Sequence, residues 1–422
     1  MKIAFVGMSH LGIVSSLSFA KKGHEVIGID SNTKIVNSLN EGDFPIIEPG
    51  LIDTYLSARD KINFSDDFSQ LNLCDIVYIS LDVDTDNSGQ SDLNSVEQLI
   101  LMSIKNINVD AVLVILCQVP PGFSRRISKM TSNTVVYQVE TLVFGQAIKR
   151  ALNPERIIVG LGNQEEELRD TYVQLLEGFD CPILKMNFES AELCKISINV
   201  FLASSVTVAN TISEICEGLG ADWNSIKSAL KLDSRIGSQS YLTPGLGISG
   251  GNIERDISTS LKLSNTLNTN SELLSAIKSN SFHRKLWPAR KLREVLPDVA
   301  RSKNYKIAVW GLAYKKDTHS TKNSPSLENI ASLSQDYAIF VTDPIAALPV
   351  SYKSKASFSK NKFEIIQDAD ALLILTDWSE YCEVALEEVL SEMRDSIIID
   401  PFGLFRKRVL REVKYFTLGT RI

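Results

Sequence analysis

The chain has 422 residues, 44% hydrophobic and 23% charged. That is too long for one ordinary core and predicts two or three globular, soluble domains. A formal net charge of −7 excludes a global basic field for a nucleic-acid backbone, and the longest apolar runs, such as 111–117, are strand-sized against the roughly 20 residues that cross a bilayer.

Strand-like apolar runs open the chain and recur at 2–6, 25–30, 76–81, 111–116, 135–138, 156–160 and 182–186. The connections are long enough for crossover helices, which predicts an α/β fold with a parallel sheet covered on both faces. From about Ser190 to Gly220 the strand signal disappears. Ala191, Cys194, Ile198, Phe201, Leu202, Val206 and Val208 keep helical spacing, with Gly220 as a stop. A second helical stretch, Asn270 to about Leu296, contains Trp287-Pro288, where a kink or break is expected. Strand signals resume at 306–310, 338–342, 371–375 and 396–400, predicting a second doubly wound, Rossmann-like sheet. The expected domains are 1–187, 188–297 (a central helical region) and 298–422. Six scattered cysteines (74, 117, 181, 194, 216 and 382) show no metal-ligand spacing. They predict reduced thiols, no metal site and a cytoplasmic protein. The N-terminus runs into a glycine turn rather than a signal peptide.

The first unit carries Gly7-Met-Ser-His-Leu-Gly12 between a strand and a helix, and Asp30 ends the next strand. This is a βαβ dinucleotide plan. Gly7 allows the tight turn, Gly12 close helix–strand packing, and the turn residues Ser9, His10 and Leu11 lead into a helix N-terminus whose free N–H groups suit a pyrophosphate. Asp30 is placed for a ribose diol and disfavours a 2′-phosphate, which predicts NAD over NADP. Ser9 stands where the middle glycine normally lets backbone approach the pyrophosphate, and its Cβ intrudes there.

Further motifs follow in order. Pro45-Ile-Ile-Glu-Pro-Gly-Leu51, Gly89-Gln-Ser-Asp-Leu93, Val119-Pro-Pro-Gly122, Glu140-Thr-Leu-Val-Phe-Gly-Gln-Ala147 and Asn153–Gly160 lie in the first domain. Ala191-Glu-Leu-Cys-Lys195 with Asn199, then Asp233–Gly237 and Gly245-Leu-Gly-Ile-Ser-Gly-Gly-Asn-Ile-Glu-Arg-Asp256, lie in the middle. Gly311–Lys315, Ser324-Pro-Ser326, Asp343-Pro344 and Leu375–Trp378 close the series. In this order and spacing the chain resembles the UDP-glucose/GDP-mannose dehydrogenases over nearly its whole length.

Enzymes of that family oxidise a primary alcohol of a nucleotide sugar twice, to the carboxylate, through a cysteine adduct. Carried over by position, the resemblance implies catalytic roles for Lys195, Asn199, Asp256, Glu140, Gln118 and position 252, and puts Lys34 near the adenosine. It also implies nucleotide-sugar contacts at Arg235, Tyr241, Gly247, Gly250, Lys315 and Lys322, with a homodimer built on the central helices. Lys195 and Asn199, four apart, share a helix face where an ammonium and an amide can converge on an oxyanion. The plainer reading is a lysine snorkelling from an amphipathic helix.

Three positions that serve the chemistry itself depart from the family pattern. The cysteine is Asn252, the threonine before the Val-Pro turn is Gln118, and the second glutamate of the "EFLxE" segment is Phe144. Nucleophile and hydrolytic carboxylate belong to the second oxidation, whereas the parts for a first hydride transfer remain. The expectation is an NAD-dependent oxidoreductase making one alcohol–carbonyl interconversion on a UDP sugar, in polysaccharide or glycan precursor biosynthesis. A nucleotide-sugar epimerase with bound NAD and a silent sugar-nucleotide-binding paralogue remain open beside it.

Overall fold

The computed structural model describes residues 1–83, 86, 91–296, 303–408 and 412–420. Residues 89 and 90 of the Gly89–Leu93 motif and the expected boundary at 297–298 lie outside them. Two compact units divide between Ile198 and Asn199, inside one long helix, Phe188–Leu219.

The first unit is built on eight strands: β1 (Lys2–Val6), β2 (Glu25–Ile29), β3 (Ile62–Ser65), β4 (Ile76–Ile79), β5 (Val112–Ile115), β6 (Thr134–Gln138), β7 (Ile157–Leu161) and β8 (Ile183–Asn187). Their spatial order is β3-β2-β1-β4-β5-β6-β7-β8. Central strands β4 and β5 are buried along their whole length, as expected when helices cover both faces. Two corrections follow. The sheet is not wholly parallel, because β6 and β7 pair antiparallel; the short helix between them, Ala147–Leu152, does not make a full crossover. And β3 was not expected: a four-residue edge strand of mixed polarity, paired only with β2, carries too little apolar alternation to be read.

The first turn of the long helix closes this core. Phe188 and Ala191 are buried against the sheet, and Gly160 makes room for them, since a Cβ there would stand 2.8 Å from that of Ala191. Burial of Phe188 is worth roughly 2–3 kcal/mol.

The second unit holds β9 (Lys306–Trp310), β10 (Ala338–Thr342), β11 (Ser357–Phe358), β12 (Ala371–Ile374), β13 (Ile397–Ile399) and β14 (Lys414–Phe416), ordered β11-β10-β9-β12-β13-β14 and paired parallel throughout. The two edge strands, β11 and β14, were not expected; at two and three residues they are shorter than any periodicity that sequence can show. The anticipated interruption at Trp287-Pro288 is a break at Leu286 between helices Glu272–Lys285 and Trp287–Val295. Pro288 sits in the first turn of the second helix, where its missing N–H is harmless.

Gly220, at φ +73°, ends the long helix as expected. That helix revises the membrane expectation. Although no apolar run in the sequence is long, the assembled helix is long and apolar enough to span a bilayer by length and composition, and only 28% of its most apolar window is buried.

Candidate active site

The cofactor end is formed by β1, the glycine turn and helix His10–Lys21. Gly7 adopts φ +97°, and a Cβ there would stand 2.9 Å from that of Leu81; at Gly12 it would lie 1.9 Å from the Gly7 carbonyl oxygen. Both positions therefore demand glycine. Asp30, half-buried at the end of β2, accepts the Met8 N–H at 2.7 Å on Oδ2 and the Asn32 N–H at 2.9 Å on Oδ1. Each oxygen keeps a second lone pair for a ribose hydroxyl. The glycine turn, the helix N-terminus and this carboxylate fit NAD. The intruding Ser9 is not idle: its hydroxyl donates to the Ser80 carbonyl at 3.3 Å and accepts the Asp82 N–H at 2.8 Å. Lys34 is exposed in the first turn of helix Thr33–Glu41.

Two residues of the "EPGL" and "AELCK" motifs act as buried scaffolding that sequence reasoning did not single out. Glu48, 6% exposed, accepts the N–H groups of Gly145 and Ala147 and pairs with His10 at 3.1 Å. Glu192, fully buried, accepts the N–H groups of Gly122 and Ser124 and so holds the turn behind the half-buried Gln118. Burial raises the Glu192 carboxyl against these hydrogen bonds. For Glu48 the Pro-Gly that follows it was the available signal; Glu192, inside a helix, had none of that kind.

Lys195 and Glu140 meet. The ammonium donates to the Glu140 carbonyl oxygen at 2.9 Å and to Oε2 at 3.1 Å, with both side chains largely shielded from water. The Glu140 carboxylate also accepts the Leu142 N–H. Thus Lys195 is fixed in place rather than snorkelling. One turn further along the same helix, Asn199 donates to Asp256 Oδ2 at 2.5 Å. Asp256 is buried, and the equally buried Arg255 lies 3.6 Å from its other oxygen.

Asp256 belongs to the helix Asn252–Thr266, whose N-cap is Gly251 at φ +102°. Asn252 is therefore the exposed first residue of that helix, one turn before Asp256. The preceding loop is pinned along its length. Gly245 N–H donates to buried Asn210 at 2.8 Å, Ile248 N–H to Ser281 Oγ at 2.8 Å, and Gly250 N–H to the Lys322 carbonyl at 3.2 Å. A Cβ at Gly247 would lie 2.4 Å from the Ser281 carbonyl oxygen, and one at Gly250 2.5 Å from the Tyr314 ring. These two glycines serve the close packing of the loop on its own unit. Glu254 anchors the helix start through Lys285 (2.8 Å) and Asn323 (2.7 Å). Lys315 and Lys322 are half-buried, while Tyr241 is 53% exposed. Arg235 is exposed and clasps Asp233 through two nitrogens, at 3.0 and 2.6 Å.

Cys117 is fully buried, donates to the Ile79 carbonyl, and burial pushes its thiol up to about 12. Cys194 packs against the core beneath the first sheet. Phe144 lays its ring 4.3 Å from that of His10.

Comparison with known proteins assigns the chain to a family. The NAD binding domain, central domain and UDP binding domain of the UDP-glucose/GDP-mannose dehydrogenase family match residues 1–179, 189–281 and 308–407. The chain belongs to this family. It is 31% identical over 444 residues to the UDP-glucose 6-dehydrogenase of Rickettsia typhi, covering all of both chains, and 30% identical to UDP-glucose 6-dehydrogenase TuaD of Bacillus subtilis, covering 98% of this chain and 92% of that one. The fold is shared with a UDP-glucose dehydrogenase from Pyrobaculum islandicum (TM-score 0.84, 23% identity, 100% and 98% of the two chains) and a UDP-D-ManNAc dehydrogenase from Pyrococcus horikoshii (0.87, 22%, 100% and 99%). The protein is an NAD-dependent oxidoreductase of the nucleotide-sugar dehydrogenase family, with α/β Rossmann-like domains at both ends.

Proposed function

We propose that this family member makes a single two-electron conversion between an alcohol and a carbonyl of a UDP sugar and stops short of the acid. The observation that carries the reading is Asn252: an exposed carboxamide at the first position of its helix, where the resemblance calls for a cysteine. A carboxamide forms no thiohemiacetal, and without that adduct the second oxidation has no covalent route. Phe144, a hydrocarbon at the hydrolytic carboxylate's position, points the same way.

The first oxidation keeps its parts. Bound NAD supplies the hydride acceptor. Lys195, held by Glu140, places an ammonium where an alkoxide develops, and a preorganised charge of this kind is typically worth about 10²–10³ in rate. Asn199 and Asp256, locked together, hold polar groups of the substrate. Lys315 and Lys322 serve as phosphate contacts in the UDP binding domain. UDP is preferred because the matching third domain is a UDP binding domain and the relatives named above are UDP-sugar enzymes.

The protein acts as a homodimer through the long helix. Phe201, Val208, Ile212, Ile215 and Leu219 are all exposed on it, at steps of seven, four, three and four that draw one apolar stripe. A second copy suits this stripe better than lipid, because the stripe is one-sided. Exposed Arg235 then reaches the neighbouring copy's nucleotide sugar.

The test is a panel of UDP-, GDP- and dTDP-sugars incubated with NAD, with products read by mass spectrometry. A product lighter by two hydrogens is expected, from the UDP arm. A carboxylic acid product overturns the reading; an unchanged mass with altered stereochemistry assigns epimerisation instead.

A further inference from the structure

The first turn of helix His10–Lys21 contains no acidic residue, yet an anion stands at its N-terminus. Leu11 donates its backbone N–H to Asp82 Oδ2 at 3.1 Å, across 71 positions of sequence. Asp82 follows β4, the strand paired with β1 on the side away from β2. Ser9 fixes it there: the Asp82 N–H donates to Ser9 Oγ at 2.8 Å, and that hydroxyl donates to the Ser80 carbonyl at 3.3 Å. On the other side of the same turn, the Met8 N–H is taken by Asp30 at 2.7 Å. Two N–H groups of the glycine turn are thus already committed to carboxylates of the chain itself.

A helix N-terminus attracts an anion through its orphan N–H groups and its dipole. A pyrophosphate and an aspartate compete for that attraction, and as like charges they cannot share it. From these contacts we infer that Asp82 is a built-in competitor for the pyrophosphate of the dinucleotide. It holds the helix N-terminus in the free protein and swings aside when the cofactor binds, so that Asp82, with Ser9 as its tether, sets the affinity of the site. Asp82 is solvent-exposed, and its departure opens no core. The inference also gives Ser9 a purpose: a glycine there would admit the pyrophosphate more closely but could not hold Asp82. It rests on the assignment of NAD to this turn.

The test is direct binding to the full-length wild type, Asp82→Asn and Ser9→Ala, with NADH followed by its own fluorescence and ADP-ribose and adenosine by calorimetry. Asp82→Asn keeps the shape and removes the charge, and is expected to tighten NADH and ADP-ribose about tenfold. Adenosine, which has no phosphate, should bind as before. Ser9→Ala loosens the tether but leaves the charge, and is expected to tighten NADH by a smaller factor, about threefold. The inference is overturned if Asp82→Asn binds NADH no more tightly than wild type, or if adenosine tightens by the same factor. Should Asp82→Asn fail to fold, an unchanged NADH affinity in Ser9→Ala overturns it alone. Failure of every protein, wild type included, to bind ADP-ribose would remove the cofactor assignment and the competitor with it, a result distinct from equal binding.

Discussion

The two sheets repeat one design and put it to different uses. In each, the first strand ends in a glycine with the same backbone, Gly7 at φ +97° and Gly311 at φ +100°. Each glycine N–H donates at 2.8 Å to the last residue of the second strand, Ile29 or Thr342. In each, the aspartate just beyond that strand reaches back to the turn: Asp30 to the Met8 N–H and Asp343 to the Leu312 N–H, both at 2.7 Å. The equivalence ends there. Asp30 is half-buried and, among the described residues, accepts from one further backbone group, Asn32. Asp343 is wholly buried and also accepts from Ala313, Ile345, Ala346 and the Trp378 indole. A carboxylate has about four lone-pair sites, so Asp343 is saturated by its own chain and Asp30 is not. The same residue at the same topological point keeps acceptor capacity in one sheet, where we propose that it takes a ribose hydroxyl, and is a structural rivet in the other, decided by how many donors surround it.

That contrast can be broken by substitution. The largest effect is expected from Asp343→Ala, which leaves three buried backbone N–H groups, the part-buried N–H of Ile345 and an indole without their acceptor; a loss of about 3–5 kcal/mol in urea unfolding is anticipated, and a loss below about 1 kcal/mol would make the two aspartates alike after all. Asp30→Ala should do the reverse. NADH affinity is expected to fall about tenfold, near 1.4 kcal/mol, while unfolding stability stays within about 0.5–1 kcal/mol of wild type; a large stability loss with unchanged affinity would reverse the roles drawn above. The smallest effect belongs to Trp378→Phe, which withdraws one of the five donors from Asp343. It should cost about 1 kcal/mol by thermal denaturation and leave dinucleotide affinity untouched.

Much of the fold was legible in advance because its central strands are apolar on both faces, as in 76–79 and 371–374, and because glycine turns punctuate them. The strands that escaped, β3, β11 and β14, are short, polar or at an edge, where pairing is imposed by a neighbour rather than by the strand's own pattern. The antiparallel step between β6 and β7 had no signal either, since strand direction follows from the path of the connection. At the site, Lys195 with Asn199 and Asp256 with position 252 could be paired from helical spacing alone. The partners that hold them could not: Glu140 lies 55 residues before Lys195, and Asp256 lies 57 after Asn199.

By itself the sequence determined what each position can do chemically. A carboxamide at 252 forms no sulfur adduct, a glycine at 12 leaves space that no other residue leaves, and an aspartate at 30 accepts hydrogen bonds. Only the tertiary structure decided which of those capacities are already spent. Asp343 is saturated, Lys195 is held by Glu140, and the helix N-terminus beside Gly7 is occupied by Asp82, because hydrogen-bond partners distant in sequence are chosen by where the strands end in space.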